Sequence, residues 1–286
     1  MTAALAIRAA AERLAATSDT ARLDAELLMA HAFGVSRSDL LLSYMGHEAP
    51  QRYFDFVERR AAHEPLAYIT GEQEFFGRTF AVNKHTLIPR SDSEQVVEAA
   101  LEACPKAKRV LDLGTGTGAL LITLVLELDA EGVGIDRSVD AIGVADVNAN
   151  RLGAWSKVTV QSGDWTKPGW KKRLGTFDLI IANPPYVEST AQLDASVQDY
   201  EPHGALFSGP DGLDDYRVLI PQLASLLSPN GTIVLEIGYQ QGGSVAAIAK
   251  ENGYETTLKY DLAGRPRAMI LRRDIPLGVG KAGIRG

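Results

Sequence analysis

Apolar residues recur at helical spacing through the first sixty-odd positions and then give way to short apolar runs between turns. Positions 2–16 consist mainly of Ala, Leu, Arg and Glu, strong helix formers that predict a first helix. Ser18-Asp19 can cap a second, whose apolar face is read from Leu23, Leu27 and Ala30 and whose stop is Gly34. Ser36-Arg37-Ser38-Asp39 has the form of a capping box ahead of Leu40-Leu41-Leu42. Pro50 opens another helix through Phe54 and Val57 toward His63, and Pro65 ends it. Residues 1–70 therefore read as a small helical bundle with no catalytic constellation of its own.

Residues 71–88 change character. Gly77 lies between two aromatic and β-branched runs in EFFGRTFAV, which predicts a hairpin linker. From about Val97 strands and helices alternate. Strands are predicted at Arg109–Leu113, Val133–Asp136, Val158–Gln161, Phe177–Ala182, Thr232–Ile237, Glu255–Tyr260 and Arg267–Leu271. Helices follow Gly118, run through Val147, and recur near Asp215–Leu227 and Gly243–Glu251. This alternation predicts an α/β fold with a mostly parallel sheet of seven strands, covered on both faces. The second domain spans 89–273, and 274–286 is expected to be a loose tail because it lacks periodicity.

Composition narrows the class. No apolar run reaches membrane-spanning length, and the acidic Glu12 near the start argues against a secretory signal. A single cysteine, Cys104, can make neither an internal disulfide nor a cysteine-based zinc site, so the expected compartment is the cytoplasm. The five histidines show no ligand spacing, and no metal is expected. A net charge of −7 lacks the basic excess of a typical nucleic-acid binder.

Two segments carry chemistry. In the first, Gly114-Thr115-Gly116-Thr117-Gly118 follows a predicted strand and opens a helix. Glycines let such a turn approach a ligand closely, at the strand ends where open α/β sheets bind ligands. Asp136 ends the next strand and can accept hydrogen bonds from ribose hydroxyls. Together they imply an adenosine-containing cofactor without saying which, because Gly114-x-Gly116-x-x-Ala119 also fits a dinucleotide pattern.

In the second, the apolar strand Phe177–Ala182 runs into Asn183-Pro184-Pro185-Tyr186. Proline fixes φ and lacks an N–H, so the chain leaves the sheet as a stiff loop with free carbonyls. The Asn183 side-chain oxygen and the Pro184 carbonyl can hold the two hydrogens of a planar –NH2 group. That orients a poor nucleophile and stabilises the positive charge that develops during attack. Tyr186 offers a flat ring for stacking.

These two segments resemble those of class I S-adenosylmethionine-dependent amino-methyltransferases, and more narrowly the HemK/PrmC peptide-chain release factor glutamine methyltransferases. The resemblance extends to Arg22–Leu28, to Gly71–Gly77, to Leu87-Ile88-Pro89-Arg90-Ser91-Asp92-Ser93-Glu94, to Glu201-Pro202 and Ala205-Leu206, and to Asp261–Arg265. Ser91 and Ser93 stand where that family usually has proline and threonine, and Ser93 keeps the hydroxyl. The resemblance implies a Rossmann-like methyltransferase sheet behind a helical substrate-recognition domain. It implies that Gly114, Thr115, Gly116, Thr117 and Gly118 line the methionine part of S-adenosyl-L-methionine and that Asp136 binds its ribose. Trp165 would flank the adenine, with Asp164 as partner of its amino group. Asn183, Pro184, Pro185 and Tyr186 would hold the glutamine amide, with Asn183 also near the cofactor and Asn183, Pro184 and Tyr186 acting in catalysis. The implied substrate is the glutamine of the Gly-Gly-Gln loop of class 1 release factors, methylated at N5, and the co-product is S-adenosyl-L-homocysteine. Neither nucleic acid nor membrane is an expected partner. Three other readings compete: adenine-N6 methylation of DNA or RNA, a non-catalytic cofactor-binding interaction module and, with less support, an NAD-dependent dehydrogenase.

Overall fold

The computed structural model describes residues 1–261 and 263–274. Most of the tail expected at 274–286, and Leu262 of the Asp261–Arg265 segment, lie outside the described residues. The chain divides into two compact units. One comprises Met1–Gln73, Ala81–Lys84 and Gln192–Pro202, and the other Glu74–Phe80, His85–Ala191 and the chain from His203 on. Segment 192–202, which the sequence reading keeps in the second domain, thus groups with the helical unit. There Tyr200 donates its hydroxyl to the Ala62 carbonyl at 2.7 Å.

The helical unit is built on helices Ala3–Leu14, Ala21–Phe33 and Arg52–Ala61. Ile7, Leu14, Leu28, Met29, Leu40 and Tyr53 are fully buried at its centre. The predicted apolar face of Ala21–Phe33 is met in part, with Ala30 buried and Leu27 half-buried. Ala25, Leu28, Met29 and Ala32 face inward, while Leu23 is 41% exposed. Two acids on this helix are buried with their charges paired. Asp24 accepts from Arg60 at 2.7 Å and from the Ser18 and Thr20 hydroxyls at 2.8 Å each. Glu26 accepts from Arg22 at 2.6 Å and Arg37 at 2.8 Å. Burial pushes the Glu26 carboxyl up, but the two guanidinium bonds outweigh it and hold the group below its ordinary value. The fourth predicted helix ends at Ala61 rather than Pro65, because His63 turns left-handed. Pro65 instead starts a short helix, Leu66–Thr70, that sequence reading leaves out.

The hairpin consists of β1 (Glu72–Phe75) and β2 (Arg78–Ala81), joined by Phe76-Gly77. Both turn residues have positive φ, as a two-residue type I′ turn requires.

The second unit holds a seven-stranded sheet. Its strands are β3 (Arg109–Leu113), β4 (Glu131–Asp136), β5 (Val158–Ser162), β6 (Phe177–Ala182), β7 (Leu227–Glu236), β8 (Tyr254–Tyr260) and β9 (Pro266–Arg273). Their order is β5-β4-β3-β6-β7-β9-β8, with β9 running opposite to the other six. Side chains alternate between two apolar layers. Val110, Leu179 and Ile181 pack with helices Glu94–Ala103 and Ala119–Leu128, while Leu111, Leu113 and Ile180 pack with Asp214–Leu223 and Gly242–Glu251. Helix Glu94–Ala103 is unassigned in the sequence reading, although Val96, Val97, Ala99 and Ala100 form its buried stripe. Strand β7 begins at Leu227, five residues before the predicted start. Pro229-Asn230-Gly231 reads locally as a turn, and the pairing with β6 is irregular between Phe177 and Leu179. Among the described residues no helix is long and apolar enough to cross a membrane.

Candidate active site

Register brings the two chemical segments together. Ile135, Leu113, Ala182 and Leu235 lie in one row across β4, β3, β6 and β7. One residue further along, at the carboxyl ends, stand Asp136, Gly114, Asn183 and Glu236. Neighbouring strands are about 4.8 Å apart, so this row is a continuous strip. It includes the switch point where the strand order reverses on either side of β3, where open α/β sheets bind ligands.

The glycine turn folds back on β4. Gly114 and Thr115 both donate their backbone N–H groups to the Ile135 carbonyl, at 2.8 and 3.0 Å. Gly114 has φ +79°, and a Cβ there would lie 3.3 Å from the Trp165 ring and 4.0 Å from the Asn183 carbonyl oxygen. The absent side chain leaves a cradle bounded by Trp165 and Asn183. Asp136 accepts from the Gly116 N–H on Oδ2 and the Ser138 N–H on Oδ1, both at 2.9 Å. Each oxygen keeps a lone pair for a further donor. From behind, the buried Asn148 amide donates to the Thr117 carbonyl at 2.9 Å.

Asp112 is a candidate site residue that the sequence motifs do not single out. It sits inside β3, 1% exposed, and its Oδ2 accepts from the Thr115 hydroxyl at 2.7 Å. Its Oδ1 is buried without a hydrogen-bond partner among the described residues. Burial, reinforced by the nearby Asp136 charge, pushes the carboxyl up to about 7. The sequence signal was an acid within an apolar strand. Because the folded-state value is raised, the folded protein binds the proton more tightly than the unfolded chain. Stability from this group is therefore full below about pH 4 and lost as pH rises through about 7, by at most about 4 kcal/mol. Asp112→Asn keeps the shape without the buried charge. In thermal melts between pH 5 and 8, the variant is expected to lose less stability than the wild type toward pH 8; parallel curves would contradict this.

On the other side of Gly114, Pro184 and Pro185 are buried and Asn183 and Tyr186 half-buried. Among the described residues, no group hydrogen-bonds the Asn183 side-chain amide or the Pro184 carbonyl. Tyr186 is anchored: its hydroxyl donates to Glu236 Oε1 at 3.2 Å. Burial, with the adjacent Glu236 charge, holds the phenol above its ordinary value, so it remains the donor. Glu236 is 2% exposed and also accepts from the Ser93 hydroxyl at 2.5 Å on Oε2. Its carboxyl is pushed up by burial, against the opposing hydrogen bond of Ser93, the Arg267 charge and the hydrogen bond of Tyr186. Arg267 pairs with Asp92 at 2.6 Å, and Glu94 accepts the Phe76 N–H at 2.8 Å. Asp92, Ser93 and Glu94 are thus three consecutive clamps. Glu236 too escaped sequence reading, though a lone acid ends its buried strand.

Trp165 is 9% exposed, packed on the glycine turn, and donates its indole N–H to Asp215 at 2.9 Å. Asp164 accepts from both the N–H and the hydroxyl of Thr166, at 2.9 and 2.6 Å. The Thr166 hydroxyl bond holds its carboxyl below the usual range despite opposing burial. Among the described residues, no three His, Cys, Asp or Glu side chains form a metal-binding group.

Residues 6–71 match the family described as PrmC N-terminal domain, and residues 105–260 match that described as methyltransferase domain. The chain is 38% identical over 282 residues to the release factor glutamine methyltransferase of Nitratidesulfovibrio vulgaris, spanning 94% of each chain. It is 41% identical over 284 residues to the release factor glutamine methyltransferase of Moorella thermoacetica, spanning 96% of this chain and 99% of that one. Among solved structures, a methyltransferase from Pyrococcus furiosus aligns with a TM-score of 0.51 and 16% identity, over 69% of this chain and 89% of that one, a likeness of fold.

Proposed function

The chain belongs to the release factor glutamine methyltransferase family, and we propose that its carboxyl-end strip performs that methyl transfer with S-adenosyl-L-methionine as donor. It is a protein-glutamine methyltransferase acting on release factors at the side-chain nitrogen N5. The observation that carries the site assignment is a pair of acceptors unengaged among the described residues, the Asn183 side-chain oxygen and the Pro184 carbonyl, on the strand end whose Asn183 backbone carbonyl bounds the Gly114 cradle.

The cradle fits the donor. The missing Cβ at Gly114 leaves room for close approach, Asp136 keeps two lone pairs for ribose hydroxyls, and Trp165 forms an apolar wall. Among the described residues the buried Asp112 Oδ1 lacks a donor, which a cationic group seated at the turn would supply. Bound S-adenosyl-L-methionine supplies an electrophilic methyl carbon on a sulfonium.

The residues of the chain do the rest. Asn183 and Pro184 accept the two N–H bonds of the glutamine amide and aim its nitrogen across the strip toward Gly114. Holding those hydrogens also stabilises the positive charge that grows on nitrogen as the carbon–sulfur bond of the donor breaks, until one of the two N–H protons passes to solvent and the neutral N5-methyl amide remains. The prolines keep both acceptors fixed, so little reorganisation is needed. Tyr186, tied down by Glu236, forms a wall against the amide plane. The glutamine is that of a Gly-Gly-Gln loop of class 1 release factors, and the helical unit recognises the release factor. Incubation with methyl-labelled donor and, separately, a release factor, DNA or RNA tests the function. Label in the release factor alone is expected; label in nucleic acid, or none despite bound donor, would contradict it.

A further inference from the structure

The structure assigns Asp215 a positioning role that links the two sides of the cleft. This rests on the functional reading above, in which Trp165 lies on the donor side and Asn183–Tyr186 hold the amide. Asp215 lies in the first turn of helix Asp214–Leu223. Its Oδ1 accepts the Trp165 indole N–H at 2.9 Å, and its Oδ2 accepts the Ser208 hydroxyl at 2.7 Å. Ser208 Oγ in turn accepts the Asp215 backbone N–H at 2.8 Å, which closes a rigid ring. Ser208 is 2% exposed, and its backbone N–H donates to the Val187 carbonyl at 2.9 Å. Val187 and Tyr186 both donate to the Leu206 carbonyl, at 2.8 and 3.2 Å. The 206–208 segment therefore lies against the end of the amide-holding loop, with Val187 and Phe207 paired as a parallel bridge.

A continuous path runs from Gly114 through the Trp165 ring, the Asp215 carboxylate and Ser208 to Val187 and Tyr186. A carboxylate suits the central position because both neighbours are donors and each needs its own oxygen. Asparagine would turn an N–H donor toward one of them. Moving the Trp165 ring thus pulls on the loop that grips the amide, and fixing the loop holds the ring. Asp215 makes donor affinity depend on substrate occupancy, and by linkage the reverse.

The test measures S-adenosyl-L-homocysteine affinity with and without saturating release factor, in the full-length protein. The wild type is expected to bind about 5- to 20-fold tighter with release factor present, within the usual range of such couplings. Ser208→Ala, which leaves the Trp165 contact in place, should bind S-adenosyl-L-homocysteine alone as the wild type does but bring the ratio below about 2. Asp215→Ala should also abolish the ratio, and Asp215→Asn should restore part of it. A ratio unchanged in Ser208→Ala and Asp215→Ala, or a wild-type ratio of one while both ligands bind, would overturn the coupling. Failure of the wild type to bind either ligand would overturn the functional reading instead, and this inference with it.

Discussion

Replacing Asn183 by alanine is expected to lower kcat for release factor methylation by about 10²- to 10³-fold, the usual cost of removing one preorganised polar group from a transition state. The affinity for S-adenosyl-L-homocysteine should change by less than about twofold, because the interaction removed belongs to the amide and not to the donor. The reason lies in the geometry of the tip. The Asn183 amide is unengaged among the described residues, so its removal breaks no hydrogen bond within the protein. Its loss leaves the Pro184 carbonyl as the single acceptor for two amide hydrogens. Single-turnover kinetics with titrated donor separate the two effects. A variant with near-normal turnover would show that the amide is held elsewhere.

Asp136→Ala is expected to do the opposite. It should weaken donor binding by about 10- to 100-fold, which corresponds to one or two lost hydrogen bonds to a charged acceptor. At saturating donor, turnover should largely recover. The carboxylate also accepts the Gly116 and Ser138 N–H groups, so alanine loosens the turn as well as removing ribose acceptors. Asp136→Asn separates these contributions, since its single side-chain oxygen can still accept from one of the two N–H groups. Affinity measured by titration calorimetry should rank wild type, asparagine and alanine in that order. Equal affinities would place the ribose away from β4.

Much of the second unit was legible because buried parallel strands are short apolar runs bounded by turn residues, and the helices between them are long. Segments with mixed signals were not. Pro229-Asn230-Gly231 disguised the start of β7, and a left-handed His63 ended a helix that proline alone seemed to end. On helix Ala21–Phe33, paired acids occupy inward positions that a hydrophobicity pattern assigns outward, and Leu23 took the exposed side. The glycine turn and Asn183–Tyr186 were readable as local chemistry, but their adjacency was not. It depends on register between β3 and β6, which are separated by two intervening strands in sequence. Glu236 and Asp215 belong to the same class. Each depends on a partner about fifty or more residues away, Tyr186 and Ser93 for Glu236 and Trp165 for Asp215, even though Asp215's other partner, Ser208, is seven residues away. No local pattern carries that information.

In the proposed reaction a proline-stiffened strand end presents a glutamine side-chain nitrogen to the methyl donor held by its neighbour strand. Tandem mass spectrometry of a release factor after incubation with the protein and S-adenosyl-L-methionine tests it most directly. One added methyl group is expected, located by fragmentation on the side-chain nitrogen of the Gly-Gly-Gln glutamine and absent with Asn183→Ala. A methyl group on any other residue, or an unmodified release factor from protein that binds the donor, would contradict it.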